Sequence, residues 1–120
     1  VKYTIVYSDQ NGTSHFKDST IEFKATNLSH APTAETSNPM QSAQIFFTKM
    51  PSGAATKLHP ADKKQLFSIL AGQIEITVGD GEKRVFGQGD VLLIEDIAGK
   101  GHQGRIVGDK DFVAATVNMI

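Results

Sequence analysis

GAATKLHPADKKQLFSILAG, residues 53–72, carries the spacing and the alternation from which the fold is read. From Gln65 onward the pattern has a period of two, so Gln65, Phe67, Ile69 and Ala71 share one side of an extended segment. Gly72 ends that run and returns the chain into Gln73–Val78. There Ile74, Ile76 and Val78 alternate with Gln73, Glu75 and Thr77, the period of a half-buried strand. Upstream, Gly53, His59, Ala61, Gln65 and Gly72 stand at set intervals: glycine, five residues, His, one residue, Ala, three residues, Gln, six residues, glycine. Pro60–Gln65 has room for one helical turn, yet no segment holds an apolar 3.6-residue period over three turns.

Working outward, strand and turn alternate to both ends. Tyr3–Ser8 and His15–Phe23 flank Gln10-Asn11-Gly12, a hairpin signal because Asn-Gly tolerates the positive φ of a type I′ turn. Asn27–Gln41, with Pro32, Pro39 and many small polar residues, reads as an irregular surface segment, and a loop of that length is often a lid, a binding loop or a subunit contact. Ala43–Met50 is a strand rich in Ile and Phe. Asp80-Gly81 turns the chain into Arg84–Phe86, Gly87 and Gly89 introduce the apolar strand Val91–Ile94, and Arg105–Val107 and Phe112–Met119 finish the chain. Many short strands with Gly-rich turns predict an all-β domain, a sandwich or barrel whose doubling or closure protects the sheet edges. One domain spans 1–120, with a hairpin and loop over 1–42 and the barrel core over 43–120.

Composition narrows the functions. The chain has 120 residues, 39% hydrophobic and 21% charged, with a formal net charge of −1, so no field favours nucleic acid or an anionic membrane. Lys63-Lys64 and Lys83-Arg84 are isolated basic pairs. The absence of cysteine removes disulfides, thiol nucleophiles and thiolate metal sites. No apolar run approaches the ~20 residues needed to span a bilayer. Val1-Lys2-Tyr3-Thr4 lacks the layout of a secretory signal, so a cytoplasmic location is expected. Asn11-Gly12-Thr13 and Asn27-Leu28-Ser29 match glycosylation sequons and are then chance matches.

A second cluster lies at Gly89-Asp90-Val91 and runs through Glu95-Asp96-Ile97-Ala98-Gly99-Lys100-Gly101 to His102. Together the two stretches resemble the paired motifs of the cupin family. The first motif keeps both glycines and one histidine, with Ala61 where a second His is usual and Gln65 where Glu is usual. The second departs at Glu95, where proline is usual, and its turn is two residues longer before the histidine. The segment looks like a subgroup of small cupins with an acidic pair, a Gly-Lys-Gly turn and a histidine. The resemblance implies a cupin-like double-stranded β-helix, a jelly-roll barrel, around one central pocket. It also implies that the motif histidines come from facing strands and approach one another, and that the family's ligands would hold one divalent metal (Zn, Ni, Mn or Fe).

Only His59 and His102 remain of that ligand set. Gln65 offers a neutral carbonyl oxygen that cannot offset metal charge in a low-dielectric pocket. Glu95 supplies a replacement carboxylate if the longer turn folds inward. Otherwise Glu95 and Asp96 cap a turn or pair with Lys100. Gln65, on the face of Phe67 and Ile69, is expected inside the barrel, where its amide needs a partner and a motif histidine is the simplest one. His15 and His30 receive no role. Gly99–Gly104 formally matches G-x-G-x-x-G but runs into a strand-like segment rather than a helix, so it does not read as a dinucleotide site. Ser52 and Ser68 have no activating sequence neighbour.

Three functions follow as expectations. The first is a small-molecule-binding cupin with a pocket lined by His59, Gln65 and His102, with Glu95 and Lys100 as further ligand contacts. The second is a metal-dependent enzyme of isomerase or oxygenase type, using His59 and His102. The third is a protein interaction module with a vestigial pocket. A homodimer is expected from the long 27–41 segment and from an N-terminal hairpin outside both motifs.

Overall fold

The structure is a computed structural model that describes residues 1–26, 30 and 34–120. The sequon Asn27-Leu28-Ser29 and Pro32 lie outside the described residues. The strands in chain order are β1 (Lys2–Ser8), β2 (Ser14–Thr20), β3 (Lys24–Ala25), β4 (Glu35–Thr36), β5 (Ser42–Met50), β6 (Gln65–Ala71), β7 (Gln73–Thr77), β8 (Lys83–Gly87), β9 (Val91–Ile94), β10 (Gln103–Val107) and β11 (Phe112–Met119). Six form one sheet in the order β2-β1-β9-β6-β11-β5, and three form a second in the order β10-β7-β8. The pair β3–β4 stands apart from both.

Alternation decides which residues enter the space between the sheets. From the large sheet come Leu92 and Ile94, Phe67 and Ile69, and Phe112, Ala114 and Thr116; Ile76, Phe86 and Ile106 face them from the small sheet. Each fully buried apolar side chain of this size contributes about 1.5–3 kcal/mol relative to exposure. β9 sits inside the large sheet, hydrogen-bonded to β6 on one side and, in parallel, to β1 on the other. The N-terminal hairpin thus extends its own sheet. The architecture is the expected all-β jelly roll, realised as two facing sheets rather than one closed hydrogen-bonded barrel.

Four local readings are corrected. Pro60–Gln65 forms bends, not a helical turn, because the Ala61 amide donates to the Asp96 carbonyl of another loop at 3.0 Å. The first hairpin is not a type I′ turn, since Asn11 has negative φ; only Gly12 is left-handed, at φ 81°. The Asp9 carboxylate instead accepts from the Asn11 and Thr13 amides at 2.8 and 3.0 Å, closing a longer loop. β2 stops at Thr20, three residues short of Phe23, because its partner β1 begins at Lys2; the Ile21 amide makes one last in-register bond, to the Val1 carbonyl at 2.7 Å. Within the segment read as irregular, Glu35–Thr36 is a short strand that pairs with Lys24–Ala25, just before that segment.

Candidate functional site

The second-motif turn leaves β9 at Ile94. The parity that points Leu92 and Ile94 inward continues to Asp96, and Glu95 falls on the opposite side. Asp96 is fully buried, and its Oδ2 accepts from His102 Nδ1 at 2.5 Å. The turn is tied to the N-terminal hairpin at several points. Ser8 Oγ donates to the Ala98 carbonyl at 2.7 Å, the Lys100 amide donates to the Gly12 carbonyl at 3.2 Å, and the buried Ser14 Oγ donates to the Gly101 carbonyl at 2.7 Å. Ser14 Oγ also accepts from the Gly79 amide at 2.7 Å, binding three turns through one hydroxyl.

The first-motif segment runs antiparallel beside the start of β10. The His59 amide donates to the His102 carbonyl and the His102 amide to the His59 carbonyl, both at 3.0 Å. The Thr56 amide donates to the Gly104 carbonyl at 2.8 Å and Thr56 Oγ1 accepts from the Gly104 amide at 2.9 Å. Gly101, at φ 81°, lies so close that a Cβ there would collide with the His59 carbonyl. This pairing places the two rings with centroids 5.4 Å apart and planes 47° apart. His59 Nδ1 lies 2.8 Å from the Pro60 carbonyl. A carbonyl only accepts, so His59 carries its proton on Nδ1; with Asp96 as a carboxylate, whose second oxygen Oδ1 is buried without a partner, His102 does the same. In the neutral ring each then has a lone pair on Nε2.

Both rings line a cavity of about 330 Å³ between the sheets. Its wall is mainly apolar, with Phe67, Ile74, Ile76, Leu92 and Phe112, and Asp62 and Gln65 add polar groups. Gln65 is on the wall, but its amide donates to Asn118 Oδ1 at 2.8 Å rather than to a histidine. Asn118 in turn donates to Gln44 at 3.0 Å, so the Gln65 NH2 is held by a chain of neighbours on the same sheet. Glu95 does not join the cavity lining; it pairs with Lys64 at 2.8 Å. Lys100 is exposed and likewise off the wall, because the ties to the hairpin hold its turn outside. Sequence reasoning named Glu95, not Asp96, among the site residues, with a turn cap or a pairing with Lys100 as the other reading of both, and missed Asp62. The signal for Asp96 was its parity with Leu92 and Ile94. His30 is exposed, and Ser52 Oγ donates to the Gly108 carbonyl at 2.7 Å. Gly99–Gly104 leads into β10, with no helix to meet a phosphate.

His15, given no role from sequence, bridges two turns. Its Nε2 meets Asp9 and its Nδ1 meets Asp80, both at 2.7 Å. The hydrogen bond to Asp9, then that to Asp80, raises the imidazole above its ordinary value. Asp9 is lowered chiefly by His15, and Asp80 chiefly by the Glu82 amide and then by His15.

The donor set does not fit a tightly held divalent metal. Two imidazoles face the cavity; the Asp96 carboxylate lies off its wall behind the His102 ring, with Oδ2 engaged by His102 and Oδ1 buried without a partner, and Gln65 adds only a neutral carbonyl oxygen, its NH2 being engaged with Asn118. Among the described residues no group of three or more His, Asp or Glu side chains is placed to share an ion. A structural site needs four ligands and a catalytic one normally three.

Comparison with known proteins matches the geometry. The chain has a TM-score of 0.53 to a predicted oxalate decarboxylase from Thermotoga maritima, at 18% identity over 98% of this chain and 92% of that one. It has a TM-score of 0.52 to a Cupin 2 conserved barrel domain protein from Salinispora arenicola CNS-205, at 23% identity over 71% of each chain. The DMSP lyase DddQ from Ruegeria pomeroyi DSS-3 gives a TM-score of 0.52 at 25% identity over 63% of this chain, which spans only 37% of the lyase. No curated protein matches the chain. Residues 46–118 match the family described as the cupin domain, which takes in both motif histidines and most of the two facing sheets, and the chain belongs to that family.

Proposed function

We propose that this cupin binds a compact, largely apolar organic molecule carrying a hydroxyl or another hydrogen-bond donor, without a resident metal. The reading rests on one observation: both cavity histidines have Nδ1 engaged by an acceptor, at the Pro60 carbonyl and the Asp96 carboxylate. Each neutral ring then meets a ligand as an acceptor, so the ligand must bring the donor. The apolar wall sets the rest of the molecule's chemistry. Asp96 fixes the tautomer and orientation of His102 and would stabilise its imidazolium. His102 Nε2 is therefore equipped to take a proton from a bound hydroxyl. An open cavity of about 330 Å³ counts against a vestigial pocket filled by side chains.

Four probes of similar shape test this by ligand-observed NMR: phenol, benzyl alcohol, toluene and benzoate. The hydroxyl compounds are expected to bind at least ~10-fold tighter than toluene, about 1.4 kcal/mol. That margin should vanish when His59→Phe is combined with Asp96→Ala/His102→Phe, which leaves no buried carboxylate without a partner. Toluene binding as tightly as phenol, or a phenol preference that survives these substitutions, would reject the proposal.

A further inference from the structure

The charges around the cavity do not balance. Asp96 is fully buried, its Oδ2 meets His102 Nδ1, and its Oδ1 has no partner. A buried carboxylate is costly unless a positive charge or several donors compensate it. Among the described residues no Lys or Arg pairs with Asp96 or lines the cavity. Lys64, on the first-motif segment, is paired with Glu95 at 2.8 Å, and Lys57 and Lys63 are exposed and off the wall. A second carboxylate, that of Asp62, stands on the wall, and among the described residues no side chain forms an ion pair with it.

The free polar side chains of the wall also share one sense. His59 and His102 offer Nε2 lone pairs, Gln65 offers Oε1 because its NH2 is held by Asn118, and Asp62 offers its carboxylate. Thr56 Oγ1 is taken up by Gly104, while the Thr48 and Thr116 hydroxyls bond each other at 2.7 Å, which leaves one hydroxyl hydrogen spare. Acceptors thus outnumber donors around a space whose remaining wall is apolar. An ammonium group has three donors and no acceptor, and it brings the positive charge that the site lacks. A hydroxyl brings one donor and no charge, and a carboxylate brings the wrong sign.

We propose that the cavity selects a compact, apolar primary amine in its ammonium form. Its N–H groups meet Nε2 of His59 and His102, and its charge is answered by Asp96 through the His102 ring and by Asp62 on the wall. The hydrocarbon part lies against Phe67, Leu92 and Phe112. The inference rests on the proposed function, in which both Nε2 atoms accept. Entering the cavity strips an ammonium of stronger hydration than an alcohol loses, so a site without net negative charge would prefer the alcohol. The sign of that preference is therefore diagnostic.

Benzylamine, benzyl alcohol, toluene and benzoate share one ring and differ in the head group. Ligand-observed NMR at low salt and about pH 8, where an ordinary imidazole is neutral and an alkylammonium charged, gives their affinities for the natural chain. Benzylamine is expected to bind at least ~10-fold tighter than benzyl alcohol, and benzoate more weakly than either. Asp62→Asn, at an exposed position, should cut the amine-to-alcohol ratio at least ~3-fold, with circular dichroism as the folding control. Benzylamine binding no tighter than benzyl alcohol would overturn this inference alone, provided that the alcohol still exceeds toluene. An amine preference indifferent to Asp62→Asn would also overturn it. Benzoate binding tighter than benzyl alcohol would place the compensating charge on His102 as an imidazolium, and would overturn the acceptor reading of that ring as well.

Discussion

The two turns that carry the motif histidines are built differently. Residues 95–102 are held by hydrogen bonds from Ser8 and Ser14 and through the Gly12 carbonyl, and they bury Asp96 completely. Residues 53–64 are exposed over most of their length and are held mainly by bonds to 102–106, with one from Ala61 to Asp96. His102 accordingly has a carboxylate partner and a side chain only 12% exposed, while His59 leans on its neighbour's carbonyl and is more open. One histidine is fixed in advance. The other is positioned largely through the first, so the geometry of the pair depends on the second turn.

The largest effect expected from this asymmetry is at the glycine where the turns touch. Gly101→Ala brings a Cβ against backbone at positive φ and should cost about 3 kcal/mol or more while driving His59 away from His102. Gly53→Ala shares the positive φ, at 84°, but its Cβ would meet nothing within 4 Å, so about 1 kcal/mol is expected. Urea unfolding of both variants checks the ranking, and equal losses would break the comparison.

A smaller effect concerns the His15 link between the hairpin and the β7–β8 turn. His15 is raised in the folded state, so its contribution is full below the free-histidine value and fades as pH rises through the folded one. Asp9 and Asp80 are lowered, so theirs is full above the free-carboxylate value and is lost as pH falls through the folded ones. The bridge therefore stabilises most between roughly pH 4 and 6.5. Tm of the natural chain should fall slightly more between about pH 5.5 and 8.5 than that of His15→Asn. The same slope in both proteins would mean that the link does not stabilise the turn region.

Much of the fold was legible because alternation and glycine turns are local signals. Ile74 and Ile76 point inward as their period requires, and the two motif histidines do approach one another, but side by side on a hydrogen-bonded antiparallel bridge rather than from facing strands. What stayed hidden was settled by tertiary contacts. Glu95 and Asp96 are adjacent and chemically alike, and only the inward face of β9 decides that Asp96 meets His102 while Glu95 meets Lys64. Gln65 was placed on the correct face, but its partner Asn118 lies on β11, 53 residues away. The first hairpin misled because Asp9, two residues before Asn11, offers the backbone a stronger local acceptor than the type I′ geometry requires.

The central claim is that both cavity histidines present Nε2 as an acceptor. Two-bond ¹H–¹⁵N correlation spectra of the histidine rings, recorded on metal-free protein near pH 8.5, where an ordinary imidazole is neutral, read the tautomers directly. Spectra of His59→Phe and of Asp96→Ala/His102→Phe assign the two signals. The account predicts the Nδ1–H form for both rings, with Nε2 unprotonated. An Nε2–H tautomer at either ring would contradict it.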